Sequence, residues 1–140
     1  MKYRDYDHLP KMARAIREKV FVDEQGFQEE FDSADECATH ILAFDGEVAV
    51  ATCRFFKQDN YYLIGRIAVL KDYRGKNIGR DMLRHAEESI KSMGGQEIRI
   101  HAQLRAQGFY EKLGYKPFGE YDYDESCKHV WMKKEIMIKS

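Results

Sequence analysis

The sequence predicts one domain of the mixed α/β (α+β) class, in which helices cover a mixed β-sheet. Its 140 residues are close to the commonest size of a single domain. Hydrophobic residues make up 44% of the chain, which is enough apolar material for a core. Helix-like and strand-like hydrophobic patterns alternate, and no repeat or composition break divides them, so we expect one domain over residues 1–140.

The first part of the chain predicts a helix followed by an acidic loop. Asp7 precedes Pro10, and apolar residues then recur at three- and four-residue spacing, so a helix capped near Asp7 should run to about Phe21. Residues 23–36 contain seven acids and no Lys or Arg. This composition indicates a loop or a short helix there.

Two stretches rich in β-branched and aromatic residues then predict a β-hairpin. They cover residues 39–44 and 47–56, and the Asp45-Gly46 pair between them is typical of a two-residue turn. A second turn at residues 58–60 leads into residues 61–70, whose apolar positions predict a central strand buried on both faces.

The second half of the chain predicts an amphipathic helix and then shorter elements. Ile78, Met82, Ala86 and Ile90 lie on one face of the helix, and the Gly94-Gly95 pair ends it. The remaining predicted elements are a strand at 97–102, a short helix at 104–113, and strands at 115–121 and 128–138 separated by a turn rich in Asp and Glu.

The charge and motif content argue against several classes of partner. With 24 acidic and 23 basic residues the net charge is -1, which favours neither nucleic acid nor an anionic membrane. No apolar run approaches the ~20 residues that span a bilayer, and the first residues lack the apolar stretch of a secretory signal. The three cysteines form no C-x-x-C pair, and the five histidines form no metal-binding motif. We therefore expect a cytoplasmic protein without a metal.

A glycine-containing turn lies between the predicted central strand and the amphipathic helix. A helix start offers unpaired backbone N–H groups, and glycine lets a ligand approach them closely. The turn has neither the Walker nor the dinucleotide-binding spacing. An anion is the expected ligand, and a plain turn beside a solvated basic helix face is the alternative. The basic residues near this turn are Lys71, Arg74, Lys76, Arg80 and Arg84.

One segment of this turn resembles the R-x-x-G-x-G/A pyrophosphate loop of the Gcn5-related N-acetyltransferases. The segment is residues 74–79, Arg-Gly-Lys-Asn-Ile-Gly, and it follows an apolar strand as in that family. Asn77 stands where the family usually has its middle glycine, and Asn is one of the few residues that tolerate a left-handed backbone.

Two further stretches carry the same resemblance. Residues 106–115 resemble the family's A-x-x-x-Y-E-K-x-G-F segment, with Gln103 in the place of a common Asn. Residues 20–25 and 40–42, with the acids between them, are similar to the ElaA-type branch of the superfamily. These acids are Glu30, Asp32 and Asp35.

The resemblance implies that acetyl-CoA is a co-substrate of this protein. It also implies a sheet with helices on both faces. The fourth and fifth strands of this sheet, here residues 61–70 and 97–102, would splay apart so that the pantetheine arm enters the gap. Backbone N–H groups of the loop would hold the pyrophosphate, and the N–H of Val69 would point at the thioester oxygen. The implied cofactor-binding residues are Ile67, Ala68, Val69, Arg74, Gly75, Lys76, Asn77, Ile78, Gly79, Arg80 and Tyr110.

Tyr110 matches the general acid of the family. A phenol with a pKa near ~10 can donate a proton to a thiolate whose conjugate thiol has a pKa near ~8.5. The hydrophobic pattern alone favours a core tyrosine instead.

The general base is open between three residues. Glu24, directly or through a water, is the first choice, and His40 and His101 are the alternatives, although a lone histidine is more often structural. Glu24, Gln25 and His101 are also the expected contacts of the acceptor.

The function predicted from these residues is transfer of an acetyl group from acetyl-CoA to a primary amine of a small molecule, by direct attack in a ternary complex. The alternatives are a catalytically silent acyl-CoA-binding regulatory module and an acetyltransferase that acts on protein amines. A cationic acceptor is expected if residues 23–36 and a second acidic turn line one mouth, and solvated surfaces if they do not. A homodimer is compatible with the exposed sheet edges. The second acidic turn contains Glu120, Asp122, Asp124 and Glu125.

Overall fold

Seven strands form one sheet in the computed structural model, which describes residues 1–28 and 31–136. The strands are β1 (Lys2–Tyr6), β2 (Thr39–Asp45), β3 (Val48–Gln58), β4 (Tyr61–Val69), β5 (Glu97–Gln103), β6 (Lys116–Asp124) and β7 (Cys127–Glu135). The helices are α1 (Lys11–Arg17), which continues into a π-helical turn (Glu18–Glu24), α2 (Ile78–Ser92) and α3 (Gln107–Lys112). Single 3₁₀ turns cover Ser33–Glu36, Lys71–Tyr73 and Leu104–Ala106.

The strand order across the sheet is β1-β2-β3-β4-β5-β7-β6. Strands β4 and β5 run parallel, and the other neighbouring strands are antiparallel. The parallel pair is connected through α2, as a crossover connection requires. The mixed sheet expected from the sequence is therefore confirmed.

Helices lie on both faces of this sheet, as expected. Successive residues of β2 point to opposite faces, so Ile41 packs in the core beneath α2 while Leu42 packs in the core beneath α1. On α2 the predicted apolar face is buried, and Met82 and Ile90 are both 0% exposed. Burying one such side chain contributes roughly 1.5–3 kcal/mol before the entropy cost of ordering it.

The N-terminal region differs from the sequence prediction in two respects. Strand β1 was not predicted, because it is a short, largely exposed edge strand with little hydrophobic signal. Its pairing with β2 keeps the chain extended as far as Tyr6, and α1 then begins after an extended Pro10 rather than near Asp7. The predicted cap at Asp7 is therefore wrong, and the helical backbone runs to Glu24 rather than Phe21.

The predicted hairpins are present, with shifted turns. Asp45 pairs with Val48, so the first turn consists of Gly46 and Glu47, and Gly46 takes the positive φ of 62° that such turns require. The second predicted acidic turn is mostly strand, because Glu120, Asp122 and Asp124 lie in β6. This edge strand is exposed along nearly all its length, which explains its turn-like polar composition.

The C-terminal strand ends at Glu135, and the predicted strand residues 137–138 lie outside the described residues. Among the helices of the described ranges, none is long and apolar enough to cross a membrane.

Candidate active site

The middle of the sheet is open because β4 and β5 separate soon after they meet. Their ladder contains two residue pairs, Tyr62 with Ile98 and Leu63 with Arg99. Beyond it, β4 carries a bulge against β3 at Arg66, whose φ is 51°. A bulge bends its strand and increases the local twist. This splaying agrees with the expectation for the fourth and fifth strands.

The splayed geometry also corrects the expectation that β4 is buried on both faces. Tyr61, Ile64 and Ala68 are buried, but the other residues of the strand are partly exposed. Gly65, Arg66, Ile67 and Val69 are among these, and they lie beyond the two pairs where β5 still covers the edge of β4.

A cleft of about 790 Å³ occupies the gap between the two strands. It extends from the π-helical turn and the end of β4 to the start of α2, β5, α3 and the β6–β7 hairpin. Among the residues singled out from the sequence, those that line it are Glu24, Gln25, Ile67, Ala68, Val69, Arg74, Gly75, Asn77, Ile78, Gly79, Arg80, His101 and Tyr110. Lys76 and His40 are not part of the lining.

One end of the cleft is formed by the loop that enters α2. Gly75 has a φ of 78° and Asn77 a φ of 64°, so the left-handed conformation anticipated for Asn77 is confirmed. The N–H groups from Gly75 to Arg80 have no hydrogen-bond acceptor among the residues described, and no side chain caps the helix. Several free donors at the positive end of a 15-residue helix favour a phosphate.

Lys76 Nζ lies 5.4 Å from the centre of the Tyr73 ring, and the side chain is not part of the cleft lining. The contribution of Lys76 to the set of free donors is its backbone N–H. Gly79 borders the cleft closely, since a Cβ built there would lie 3.6 Å from Phe109 and 3.7 Å from Val69.

The Arg74 guanidinium is held by hydrogen bonds to other residues of the protein and is not a free cation. Its Nε donates to the carbonyl oxygen of Val69 at 2.8 Å, and its two terminal nitrogens donate to the carboxylate of Glu24 at 3.0 and 2.9 Å. The two residues are about two-fifths and one-third exposed. Both carboxylate oxygens of the first-choice base are thus engaged by a fixed cation.

Tyr110 lies in α3, which forms part of the cleft wall. The residue is 7% exposed, and its ring packs edge-to-face against Phe109 and Tyr115. Burial, and secondarily the neighbouring Cys53 thiol, raises the pKa of the Tyr110 phenol. Its hydroxyl has no hydrogen-bond partner in the described part of the chain. Tyr110 is therefore both a core residue and a cleft residue, and it keeps its proton at neutral pH.

Two predicted acceptor contacts are tied to neighbouring side chains. Gln25 accepts a hydrogen bond from the side-chain amide of Gln103 at 2.8 Å, which links the π-helical turn to β5 across the cleft. His101 Nε2 lies 2.7 Å from a carboxylate oxygen of Asp122, and its ring stacks between those of His129 and Trp131.

His40 lies outside the cleft, in a buried charge cluster. The ring is 1% exposed and its Nε2 lies 2.9 Å from the carbonyl oxygen of Asp35. Burial lowers the pKa of His40, and the nearby Arg17 and Arg54 add to that effect, although Asp35 opposes it. We therefore remove His40 from the candidate bases.

The same cluster accounts for part of the acidic stretch. Asp35 receives two hydrogen bonds from Arg17, at 2.8 and 3.1 Å, and one from Arg54 at 2.8 Å. Asp32 pairs with Arg54 and with Arg66. These carboxylates join α1, β3 and the bulge of β4, and Asp35 is buried, so this part of the acidic stretch has a structural role.

The two acidic stretches do meet at one mouth of the cleft. Glu24 and Asp124 both line it, and the carboxylate of Glu125 accepts the backbone N–H of Gln28 with both oxygens at 3.1 Å. Arg74 offsets the charge of Glu24, so Asp124 is the less compensated of the two lining acids. The predicted acids Glu29 and Glu30 lie outside the described residues.

Sequence reasoning missed several residues of the cleft, above all His129. The period-2 pattern of its strand places it on one face with Trp131, but only the β5–β7 register, in which Gln103 opposes His129, shows that this face continues into the cleft. Among the described residues no group of three or more His, Cys, Asp or Glu is arranged to hold a metal ion. The other missed residues include Arg66, Arg105 and Phe109.

The chain is similar to known acetyltransferases in sequence and in structure. The family described as "Acetyltransferase (GNAT) domain" matches residues 8–136. YjcF of Bacillus subtilis, named an uncharacterized N-acetyltransferase, is 34% identical over 128 residues, which cover 89% of this chain and 91% of YjcF. The crystal structure of Escherichia coli ElaA aligns with a TM-score of 0.85 and 27% identity over 96% of this chain and 100% of ElaA.

A further structure, an aminoglycoside 6'-N-acetyltransferase complexed with coenzyme A, shares the fold at a TM-score of 0.80. Its sequence is 17% identical, and the alignment covers 100% of this chain and 99% of that one.

Proposed function

This chain belongs to the GNAT acetyltransferase family, and we propose that it transfers an acetyl group from acetyl-CoA to a primary amine of a small molecule, by direct attack in a ternary complex. The observation that carries the proposal is the cleft between β4 and β5, which has free backbone donors at one end and the Tyr110 hydroxyl on its wall. Fold alone does not define a function, and it is these groups that support acetyl transfer.

The loop that enters α2 fits the diphosphate of a coenzyme. Its free N–H groups, from Gly75 to Arg80, point outward from a helix start, and the left-handed residues Gly75 and Asn77 hold them there. Arg80 also lines the cleft, where its Nε donates to Asp81 at 3.0 Å, so its charge is partly offset. The structure of an acetyltransferase complexed with coenzyme A on the same fold supports this assignment.

The edge of β4 next to the cleft fits the extended arm of the coenzyme. Residues 67–69 line the cleft, and β5 has diverged from them, so an extended ligand takes the place of the missing strand. When bound, acetyl-CoA supplies an activated acetyl thioester.

Tyr110 Oη is the proton donor that we assign to the departing sulfur. Acetyl transfer requires one proton to leave the amine nitrogen and one to reach the thiolate. The raised pKa keeps the phenol protonated, and the hydroxyl is not committed to another group among the described residues. Deep packing of the ring fixes the position of the hydroxyl oxygen.

The mouth of the cleft favours a cationic acceptor. Asp124 and Glu24 attract a positively charged substrate, and Gln25 and His101 offer polar contacts beside them. Because Arg74 occupies both oxygens of Glu24, we assign Glu24 to holding the loop and attracting the acceptor rather than to proton removal.

A thiol-release assay with purified protein tests this function. Acetyl-CoA is supplied with polyamines, amino sugars, amino acids and peptides in parallel, and calorimetry measures coenzyme A binding. Turnover with a small amine supports the proposal. Turnover with peptides alone indicates action on protein amines, and binding without any turnover indicates a silent acyl-CoA-binding module. Absence of coenzyme A binding contradicts all three.

A further inference from the structure

His129 is a cleft residue that the proposed function, on which this inference rests, does not yet use. It lies on β7 opposite Gln103 of β5 and lines the same cleft as Tyr110 and Asp124. The residue is only 5% exposed. The chemical role of such a histidine depends on which of its two ring nitrogens carries a proton.

The hydrogen bond on one nitrogen determines the tautomer. His129 Nδ1 lies 2.8 Å from the carbonyl oxygen of Cys127. A carbonyl oxygen can only accept, so Nδ1 carries the proton and donates it. In the neutral ring, Nε2 is then the atom with the lone pair.

Nε2 is reachable from the cleft. Tyr3 Oη and Arg54 Nε are the unpartnered side-chain polar atoms that are sealed from solvent in the described ranges. His129 Nε2, which likewise has no described partner, is not among them, so the small exposed fraction of the residue includes this atom. The lone pair is free to accept a proton from a ligand in the cleft.

The surroundings keep the ring neutral. Burial lowers the pKa of His129, and the stacked His101 ring, 4.5 Å away, lowers it further. The Cys127 carbonyl on β7 and the carboxylates of Asp124 and Asp122 on β6 oppose these effects, and the net direction is downward. A neutral imidazole at neutral pH is the form that accepts a proton.

The other candidates for proton removal are engaged in hydrogen bonds or lie elsewhere. Both oxygens of Glu24 accept hydrogen bonds from Arg74. Nε2 of His101 donates to Asp122, so Nδ1 is the one nitrogen of that ring that could still take a proton. His40 lies outside the cleft.

The geometry points to His129 Nε2 as the atom that removes the proton from the acceptor amine. The amine nitrogen forms a bond to the acetyl carbon as the carbon–sulfur bond breaks. The nitrogen loses one proton to Nε2, and Tyr110 Oη delivers one to the sulfur. His129 then releases its proton to solvent and Tyr110 regains one, so the sum of the steps is conversion of thioester and amine into amide and thiol.

The variant that tests this role is His129→Asn. The Asn side-chain amide occupies the place of Nδ1–H and can still donate to the Cys127 carbonyl, while the acceptor at Nε2 is lost. General-base catalysis contributes typically 10²–10⁴-fold, so we expect kcat to fall at least about a hundredfold. Coenzyme A affinity, measured by calorimetry, should change less than about twofold. His8→Asn, at an exposed histidine that is not part of the cleft lining, serves as the matched control.

The pH profile separates a base from a positioning residue. In the wild type, kcat/KM for an amine acceptor should decrease with acidification through a pKa below 6.5, and this limb should be absent in His129→Asn. A His129→Asn enzyme with nearly normal kcat, or with the same acidic limb, would overturn the assignment. For a variant that folds poorly, the nitrogen-15 NMR shifts of wild-type His129 provide the test: a protonated Nε2 at pH 7 would also overturn it. Absence of turnover in the wild type would instead contradict the proposed function, and with it this step.

Discussion

Arg74 holds Glu24 through two hydrogen bonds of 2.9 and 3.0 Å, while its Nε donates to the carbonyl oxygen of Val69. One side chain thus connects the end of β4, the loop that enters α2 and the π-helical turn on the other side of the cleft. The loop that enters α2 and the π-helical turn are therefore held together by a single guanidinium.

This pair should show measurable coupling in unfolding experiments. In a double-mutant cycle with Glu24→Gln and Arg74→Met, we expect a coupling energy of about 0.5–1 kcal/mol in the free energy of unfolding, because the pair is partly exposed but bidentate. Urea denaturation of the four proteins provides the measurement. Strictly additive single-variant effects would show that the contact contributes nothing.

Removing the Tyr110 hydroxyl should affect turnover and not stability. Tyr110→Phe keeps the packed ring and deletes an oxygen without a described partner, so kcat should fall roughly a hundredfold with little change in Tm. Tyr115→Phe should do the reverse, because its hydroxyl donates to Glu87 at 2.7 Å, and its loss costs about 1 kcal/mol of stability. Thiol release and thermal denaturation distinguish the two variants. Equal kcat for Tyr110→Phe and the wild type would exclude Tyr110 as the proton donor.

The backbone conformation of the loop that enters α2 should depend on Gly75. Gly75 has a φ of 78°, which costs an L-residue roughly 1 kcal/mol, so Gly75→Ala should lower the free energy of unfolding by about that amount. Relief of the strain would turn the loop amides, so coenzyme A binding should weaken as well. Gly108→Ala is the matched control: Gly108 lies in α3 with open space around it, and alanine there should be neutral or stabilising. Unchanged stability and affinity in Gly75→Ala would contradict this account of the loop.

The buried charge cluster should make stability depend on pH in the acid range. Burial raises the pKa of Asp35, but the hydrogen bonds and charges of Arg17 and Arg54 outweigh it and lower the pKa to about 2. The unfolded state therefore binds more protons than the folded state between about 2 and 3.8, so the stabilisation is complete above this window and is lost as the pH falls through it. We expect a loss on the order of 2 kcal/mol in the free energy of unfolding.

Denaturation curves between pH 5 and pH 2 check this dependence. Asp35→Asn should be less stable at pH 5 and should flatten the slope, leaving a remainder from Asp32, whose pKa is also lowered, chiefly by its hydrogen bond from Arg54. Asp7→Asn, at a fully exposed carboxylate, should leave the slope unchanged. A wild-type slope that Asp35→Asn does not alter would contradict the role of the cluster.

Local sequence patterns predicted the elements that carry their own signal. The apolar face of α2, the hairpins around Gly46 and Asp59 and the left-handed Asn77 follow from side-chain periodicity and backbone preferences within a few residues. The exposed edge strand β1 was not predicted and the end of β6 was predicted as a turn, because polar strands look like turns when their sheet neighbours are unknown.

What the sequence by itself determined is the glycine-containing loop before α2, its flanking strand and helix, and the place of Tyr110 in the motif after β5, because each of these depends on residues adjacent along the chain. Only the tertiary structure decided which distant side chains meet. It paired Glu24 with Arg74, placed His40 in a buried charge cluster and brought His129 into the cleft. The physical reason is that strand register and helix docking set these contacts, and both arise from packing over the whole core. The hydrogen-bonding partners that result then decide whether a carboxylate or an imidazole is free to take a proton.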